Sequence, residues 1–244
     1  MFSALGIGRS GLHANQYKLD SVADEIANVG TDGYKKSNVS FQELLPGEDV
    51  TLGTKAGIKK LDFSQGVPRE TGYRWDFAIE GDGFFSLVNA DGDAFFTRDG
   101  AFQLSQEGTL VDYAGNALVV EYNQDLEEIP VDTMQVNAEG GISGVVDGEV
   151  VQVGRIPLFM PENPQQMIHI GEGKFLPAAG DQVFNSVDNP EMFGSINQGF
   201  LESSNSDLTR AMTEMITAQR AYSLNSQAIR STDDIMRMIN EIKR

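Results

Sequence analysis

Residues 201–239 read LESSNSDLTRAMTEMITAQRAYSLNSQAIRSTDDIMRMI, and Leu201, Leu208, Met215, Tyr222, Ile229 and Met236 stand seven residues apart along this stretch. A strict seven-residue repeat keeps one seam facing a neighbour, so the segment predicts a helix packed lengthwise against other helices. Between the rungs, Ala211, Ala218, Asn225, Thr232 and Ile239 complete a three-four alternation with mostly small or polar residues. An isolated two-stranded coil prefers large residues at such positions; this mixture suits crowded packing with several partners. Asp207 or Ser206 is placed to cap the helix start.

The opposite end of the chain carries a shorter ladder, Leu5, Leu12, Leu19 and Ile26. It predicts a helix from about Ser3 to Val29 that stops in Asn28-Val29-Gly30-Thr31-Asp32-Gly33, where two glycines accept the left-handed conformation. Each end exposes an apolar seam that the other can cover, so the two are expected to associate although a long stretch separates them. Residues 37–75 read as an extended linker. From residue 76 the period changes: Phe84–Val88, Ala94–Thr97, Ala101–Leu104 and Thr109–Val111 are short β-prone runs, with glycines at 83, 92, 100, 108 and 115 between them. Turn signals this regular argue an antiparallel meander, continued by Val145-Val146, Val150–Val153 and Ile156–Phe159. The expected fold is α+β: residues 1–36 plus 200–244 form a discontinuous, coiled-coil-like helical domain, 37–75 a linker and 76–199 a mostly antiparallel β domain.

The chain of 244 residues has a net charge of −18, all of it between residues 37 and 199, where 8 Lys/Arg face 26 Asp/Glu. An acidic middle repels nucleic acid and anionic membrane surfaces; both are set aside as partners. With no cysteine there are no disulfides and no thiol chemistry. Residues 1–8 lack the basic start of a cleavable signal, and no run approaches the length of a membrane span.

Gly6-Ile7-Gly8-Arg9-Ser10-Gly11 matches the dinucleotide pattern G-x-G-x-x-G, but only five residues precede it, too few for the strand that must deliver the chain into that turn. Its small residues fit close helix approach instead. The two histidines, His13 and His169, lie far apart with no metal-ligand spacing, and the Asp-Gly pairs are turn formers without a calcium-loop pattern. No nucleophile elbow or Ser/His/Asp set stands out. No catalytic, cofactor or metal residues are expected.

The segment Ser10-Gly11-Leu12-His13-Ala14-Asn15-Gln16 … Ala27-Asn28-Val29-Gly30-Thr31-Asp32-Gly33-Tyr34-Lys35, the motifs Glu80-Gly81-Asp82-Gly83-Phe84 and Arg98-Asp99-Gly100, and the run Gln219-Arg220-Ala221-Tyr222 occur in an order that resembles the bacterial flagellar rod and hook axial proteins. Asn28, Gly33, Tyr34, Gly81, Gly83, Phe84, Arg98, Gly100, Gln219 and Arg220 carry the likeness. Asp24-Glu25 stands where that family usually has Asn-Asn, and Gly30 where it usually has Asn. The resemblance implies a non-enzymatic structural subunit of the basal body, exported through the flagellar export apparatus without signal cleavage. It implies self-association into a helical filament, with the terminal helices around the export channel and the β domain outside. Other rod and hook proteins, and surrounding ring proteins, are the implied partners, and the cell envelope and periplasm the implied location. The ladder residues, Leu5 to Ile26 and Leu208 to Met236, are then subunit-packing residues. One modest β domain looks like a distal-rod-like subunit; a hook-like subunit, or a soluble β-domain binding protein dimerising through its helices, is the alternative.

Overall fold

The computed structural model describes residues 2–44, 53–106, 108–122, 133–146 and 149–242, and the chain divides into two compact units. One unit comprises Met1–Val29, Lys36–Asp62 and Ser206–Arg244; the other comprises Gly30–Lys35 and Phe63–Asn205. The architecture is α+β, two long helices and otherwise antiparallel strands.

In the helical unit, α1 (Phe2–Ala27) lies antiparallel along α2 (Leu208–Ile242). Gly8 faces Ile229, Gly11 faces Asn225, and Lys18 meets Glu214 further along. Asp207 caps α2, its Oδ1 accepting from the backbone N–H groups of Thr209 and Arg210 at 2.8 and 3.2 Å. This satisfies two of the donors a helix start leaves open. Asn28 closes α1: its N–H and Nδ2 both donate to the Asp24 carbonyl.

A two-stranded hairpin completes this unit, and here the linker expectation is corrected. Ser37–Leu44 pairs with Gly53–Leu61, and the hairpin packs on α1. Ser21 Oγ bonds the Ser37 carbonyl, and the Thr54 N–H donates to Ser10 Oγ. α1 therefore buries two faces, one on α2 and one on the hairpin, and its deepest residues, Ala14 and Val22, lie off the seven-residue ladder.

The β unit contains a seven-stranded antiparallel sheet in the order Ile168–Gly171, Lys174–Leu176, Ala94–Thr97, Phe85–Val88, Ala117–Leu118, Leu110–Val111, Gln103–Leu104. A four-stranded sheet runs Glu121–Tyr122, Glu149–Arg155, Gly141–Val146, Gln135–Val136. Two-stranded pairs join Phe77–Glu80 to Ser195–Gln198 and Pro68–Glu70 to Phe200–Glu202. Phe77, Ile79, Phe85, Leu87, Phe102, Val153, Ile156 and Ile196 form the centre of the core, with Phe85 and Phe102 edge to face at 5.5 Å.

Four of the five turn glycines, Gly83, Gly92, Gly108 and Gly115, have positive φ. Gly100 does not; a Cβ there would sit 1.7 Å from the Phe77 carbonyl oxygen, so close approach of two backbones demands it. The acidic turns are held locally: Asp112 Oδ1 accepts from the N–H groups of Ala114 and Asn116. Ile156–Phe159 is not a strand; Pro157 cannot donate to a ladder, and the regular strand is Phe159–Pro161. Leu201 is corrected too. It lies in the strand Phe200–Glu202, six residues before the Asp207 cap, and is buried in the β unit.

Candidate assembly surface

On α1, Leu5, Leu12, Leu19 and Ile26 are half-buried; on α2, so are Met215, Ile229 and Met236, whereas Leu208 and Tyr222 are exposed. The fully buried α2 positions are Ala211 and Ala218, the small members of the alternation. A Cβ at Gly8 would come within 2.8 Å of Ile229 Cγ1, and one at Gly11 within 3.0 Å of Asn225 Nδ2. The G-x-G-x-x-G segment is thus helix interior, and two of its glycines serve close helix packing. Gly6 meets nothing.

Ion pairs tie the helices at one level. Lys18 Nζ donates to Glu214 at 2.5 Å, and Arg210 Nε donates to the same carboxylate at 3.1 Å. The Lys18 hydrogen bond leads the effects that hold the Glu214 carboxyl below its ordinary range. Glu25 is different. Burial pushes its carboxyl up, against the pull of Lys18, Lys36 and Lys59.

The helical unit contains 12 Lys/Arg and 12 Asp/Glu, the β unit 6 and 24. The entire charge of −18 therefore belongs to the β unit. Copies of this chain repel through their β units and are neutral to one another through their helices.

Within the β unit, several of the motif residues converge on a group that the sequence does not single out. The Glu202 carboxylate accepts from Lys35 Nζ at 2.6 Å, the Gly66 N–H at 2.7 Å and Arg98 Nη1 at 3.4 Å. Lys35, Arg98 and Glu202 are all but fully enclosed. Lys35 also donates to the Ser64 carbonyl, Arg98 Nη2 to the Gly81 carbonyl, and the Gly33 N–H to the Glu202 carbonyl. The Arg98 guanidinium lies 5.1 Å over the Phe84 ring. Gly33, at φ +69°, passes so close to Asp99 that a Cβ would sit 2.4 Å from its backbone nitrogen. This clasp joins the segment leaving α1 (Gly33–Lys35), the strand-leading segment Ser64–Gly66 and the strand that precedes α2. Asn205 closes it, its N–H donating to the Tyr34 carbonyl and its Nδ2 to the Ser64 carbonyl. Burial lowers the Arg98 pKa, opposed by Glu202 and Asp82, and raises that of neighbouring Asp99 to about 6. Gly83 packs on Phe193 and Leu158, while Gln219 and Arg220 lie exposed on α2.

Among the described residues, no group of three or more His, Cys, Asp or Glu is placed to hold a metal, and no helix is long and apolar enough to cross a membrane. His13 stacks on Tyr17, its near neighbour on α1, and His169 lies against Phe175. The geometry is that of a packing surface and a buried structural clasp.

Known families agree with that assignment. The family described as Flagellar hook protein FlgE/F/G D1 domain matches residues 78–152, and that described as Flagellar basal body rod FlgEFG protein C-terminal matches residues 197–242. The chain is 33% identical over 265 residues to the flagellar basal-body rod protein FlgG of Borreliella burgdorferi and 32% identical over 266 residues to that of Bacillus subtilis, with 100% of each chain covered. It is 30% identical over 244 residues to the flagellar basal-body rod protein FlgF of Caulobacter vibrioides, covering 97% of this chain and 96% of that one. With both helices, the hairpin and the β unit inside alignments of this length, the chain belongs to the flagellar basal-body rod protein family.

Proposed function

We infer that this chain is a structural subunit of the bacterial flagellar rod and has no catalytic turnover. The observation that carries the reading is the paired terminal helices, which keep large apolar residues exposed after pairing: Leu208, Met212, Ile216, Leu224, Ile235 and Met238. Exposed apolar surface on that scale marks an interface between macromolecules. End-to-end likeness to proteins named for the rod favours rod over hook.

In the assembled rod, the helical units pack coiled-coil-like into an inner tube around the export channel, and the acidic β units face outward. Leu5, Leu12, Leu19, Ile26, Leu208, Met215, Tyr222, Ile229 and Met236 act as its packing residues. The shaft transmits torque, and its stiffness comes from many interlocked helices with no single active residue. Its partners are copies of itself, other rod and hook proteins, the export apparatus and the surrounding rings, in the periplasmic part of the basal body.

Electron microscopy of the purified chain at rising concentration tests this. Straight hollow tubes above a threshold concentration are the expected result. A chain that stays monomeric or stops at dimers at every concentration would refute it.

A further inference from the structure

After α1 has covered one seam of α2, a second seam remains on the same helix. Leu224, Ala228, Ser231, Ile235, Met238 and Ile242 follow the spacing 4, 3, 4, 3, 4, which lines up along one face. All six are exposed, the four large ones at 64, 47, 53 and 85% for Leu224, Ile235, Met238 and Ile242. The residues turned to α1, Asn225 and Ile229, lie around the helix from this ridge and are half-buried.

The same unit carries a concave counterpart. A largely apolar groove of about 700 Å³ opens between α1 and the hairpin, lined by His13, Ala14 and Tyr17 on one wall and by Val39, Thr54 and Gly57 on the other. Its α1 wall runs from Ser10 to Asp24, about 21 Å at the helical rise, and the ridge from Leu224 to Ile242 runs about 27 Å. Both are elongated features, one convex and one concave, of comparable length.

We propose that the α2 ridge of one copy seats in the α1–hairpin groove of the next. This deepens the rod reading and rests on it. The occupant is a second copy because the helical unit is the one unit without net charge, so it is where copies approach without repulsion. Charge is balanced at each side of the contact: Asp20 and Asp24 with Lys55 and Lys59 at the groove, and Arg230 and Arg237 with Asp234 and Glu241 beside the ridge. Ridge and groove are different surfaces of one subunit. Their pairing leaves a free groove on one copy and a free ridge on the other, so it propagates instead of closing at two.

The chain has no cysteine, so introduced thiols are unique. Thr54→Cys places one in the groove wall, Met238→Cys one on the ridge, and Ser223→Cys a control on α2 away from the ridge. With a short bismaleimide, a mixture of the Thr54→Cys and Met238→Cys chains is expected to give cross-linked dimers at no less than 10-fold the yield of the Thr54→Cys and Ser223→Cys mixture. The double variant should give a ladder of multimers. Independently, Ile235→Asp with Met238→Asp, both at exposed positions, should raise the concentration for half-assembly at least 10-fold with unchanged helix content by circular dichroism. Self-cross-linking of Met238→Cys alone, cross-linking only within single chains of the double variant, or a yield no greater than the control would each overturn the proposal. If tubes form under those conditions, the rod reading stands without it; absence of any association overturns both.

Discussion

Replacing Glu202 by alanine puts the clasp to its hardest test. The carboxylate neutralises two enclosed cations, Lys35 at 2.6 Å and Arg98 at 3.4 Å, and accepts the Gly66 N–H at 2.7 Å. Removing one partner of a buried ion pair costs about 3–5 kcal/mol, because the remaining charge keeps its desolvation penalty and loses its compensation. The orphaned amide adds about 1–3 kcal/mol. These effects overlap, so a loss of about 4 kcal/mol or more is expected, a large share of the roughly 5–15 kcal/mol that holds a domain folded. Glu202→Gln keeps the shape and one acceptor while deleting the charge, and should fall between wild type and alanine. The triple replacement Glu202→Leu, Lys35→Met, Arg98→Met should recover much of the loss, since an apolar trio leaves no buried charge unpaired. The chain's single tryptophan, Trp75, packs against the core of the β unit and reports its unfolding directly in a urea titration. A loss below about 1 kcal/mol for Glu202→Ala, or a triple variant no more stable than the single one, would refute the reasoning.

Further outcomes follow from other residues. Asp99 is held protonated more readily in the folded chain, its pKa raised from 3.8 to about 6 by burial, with Asp32, Asp112 and Asp76 pushing the same way. Its contribution is therefore present below about pH 4 and lost as pH rises through about 6. Asp99→Asn, which keeps an acceptor for the Ala101 N–H, should raise stability at pH 7 by roughly 2–3 kcal/mol and flatten the dependence between pH 4 and 6; a thermal-unfolding series across that range that is unchanged by the substitution counts against it. Ile229→Ala, opposite Gly8, should weaken the helical unit by about 1–3 kcal/mol and raise the concentration needed for assembly, with Trp75 fluorescence in the β unit unchanged; normal polymerisation would remove Ile229 from the seam. Asp207→Ala should cost about 1 kcal/mol of α2 stability and Asp207→Ser much less, read from the helical dichroism midpoint; equal effects would deny the capping role.

Features with a local period were legible in the sequence. Seven-residue spacing gave two helices that do lie side by side, the regular glycine punctuation, much of it Asp-Gly, gave the meander, and Asp207 could be picked out as a cap. The ladder alone could not stop Leu201 from counting as a rung, because its spacing continues past the cap; only the cap says that the helix has not yet begun. The hairpin on α1 was hidden because a bulge between Val39 and Phe41 breaks its alternation and lysines fill its return strand. Glu202 was hidden for a different reason. Its partners Lys35, Gly66 and Arg98 stand more than 100 residues away, and no local pattern marks a charge that the fold will enclose. The second ridge was present in the letters at 4-3-4 spacing, but a neighbouring ladder on the same helix outranked it until the structure showed which seam α1 occupies.

The pairing of Lys18 with Glu214 spans 196 positions of chain, and Gly8 must wait even longer for Ile229. Loop closure over such a distance is slow. Until the two ends meet, each is a solitary helix, and an amphipathic helix without its cover is marginal in water. The groove needs α1 and the hairpin, while the ridge is presented on a helix steadied by α1. A chain whose ends have not met therefore presents neither a steadied groove wall nor a steadied ridge. The two surfaces become available together, since the pairing of α1 with α2 steadies both.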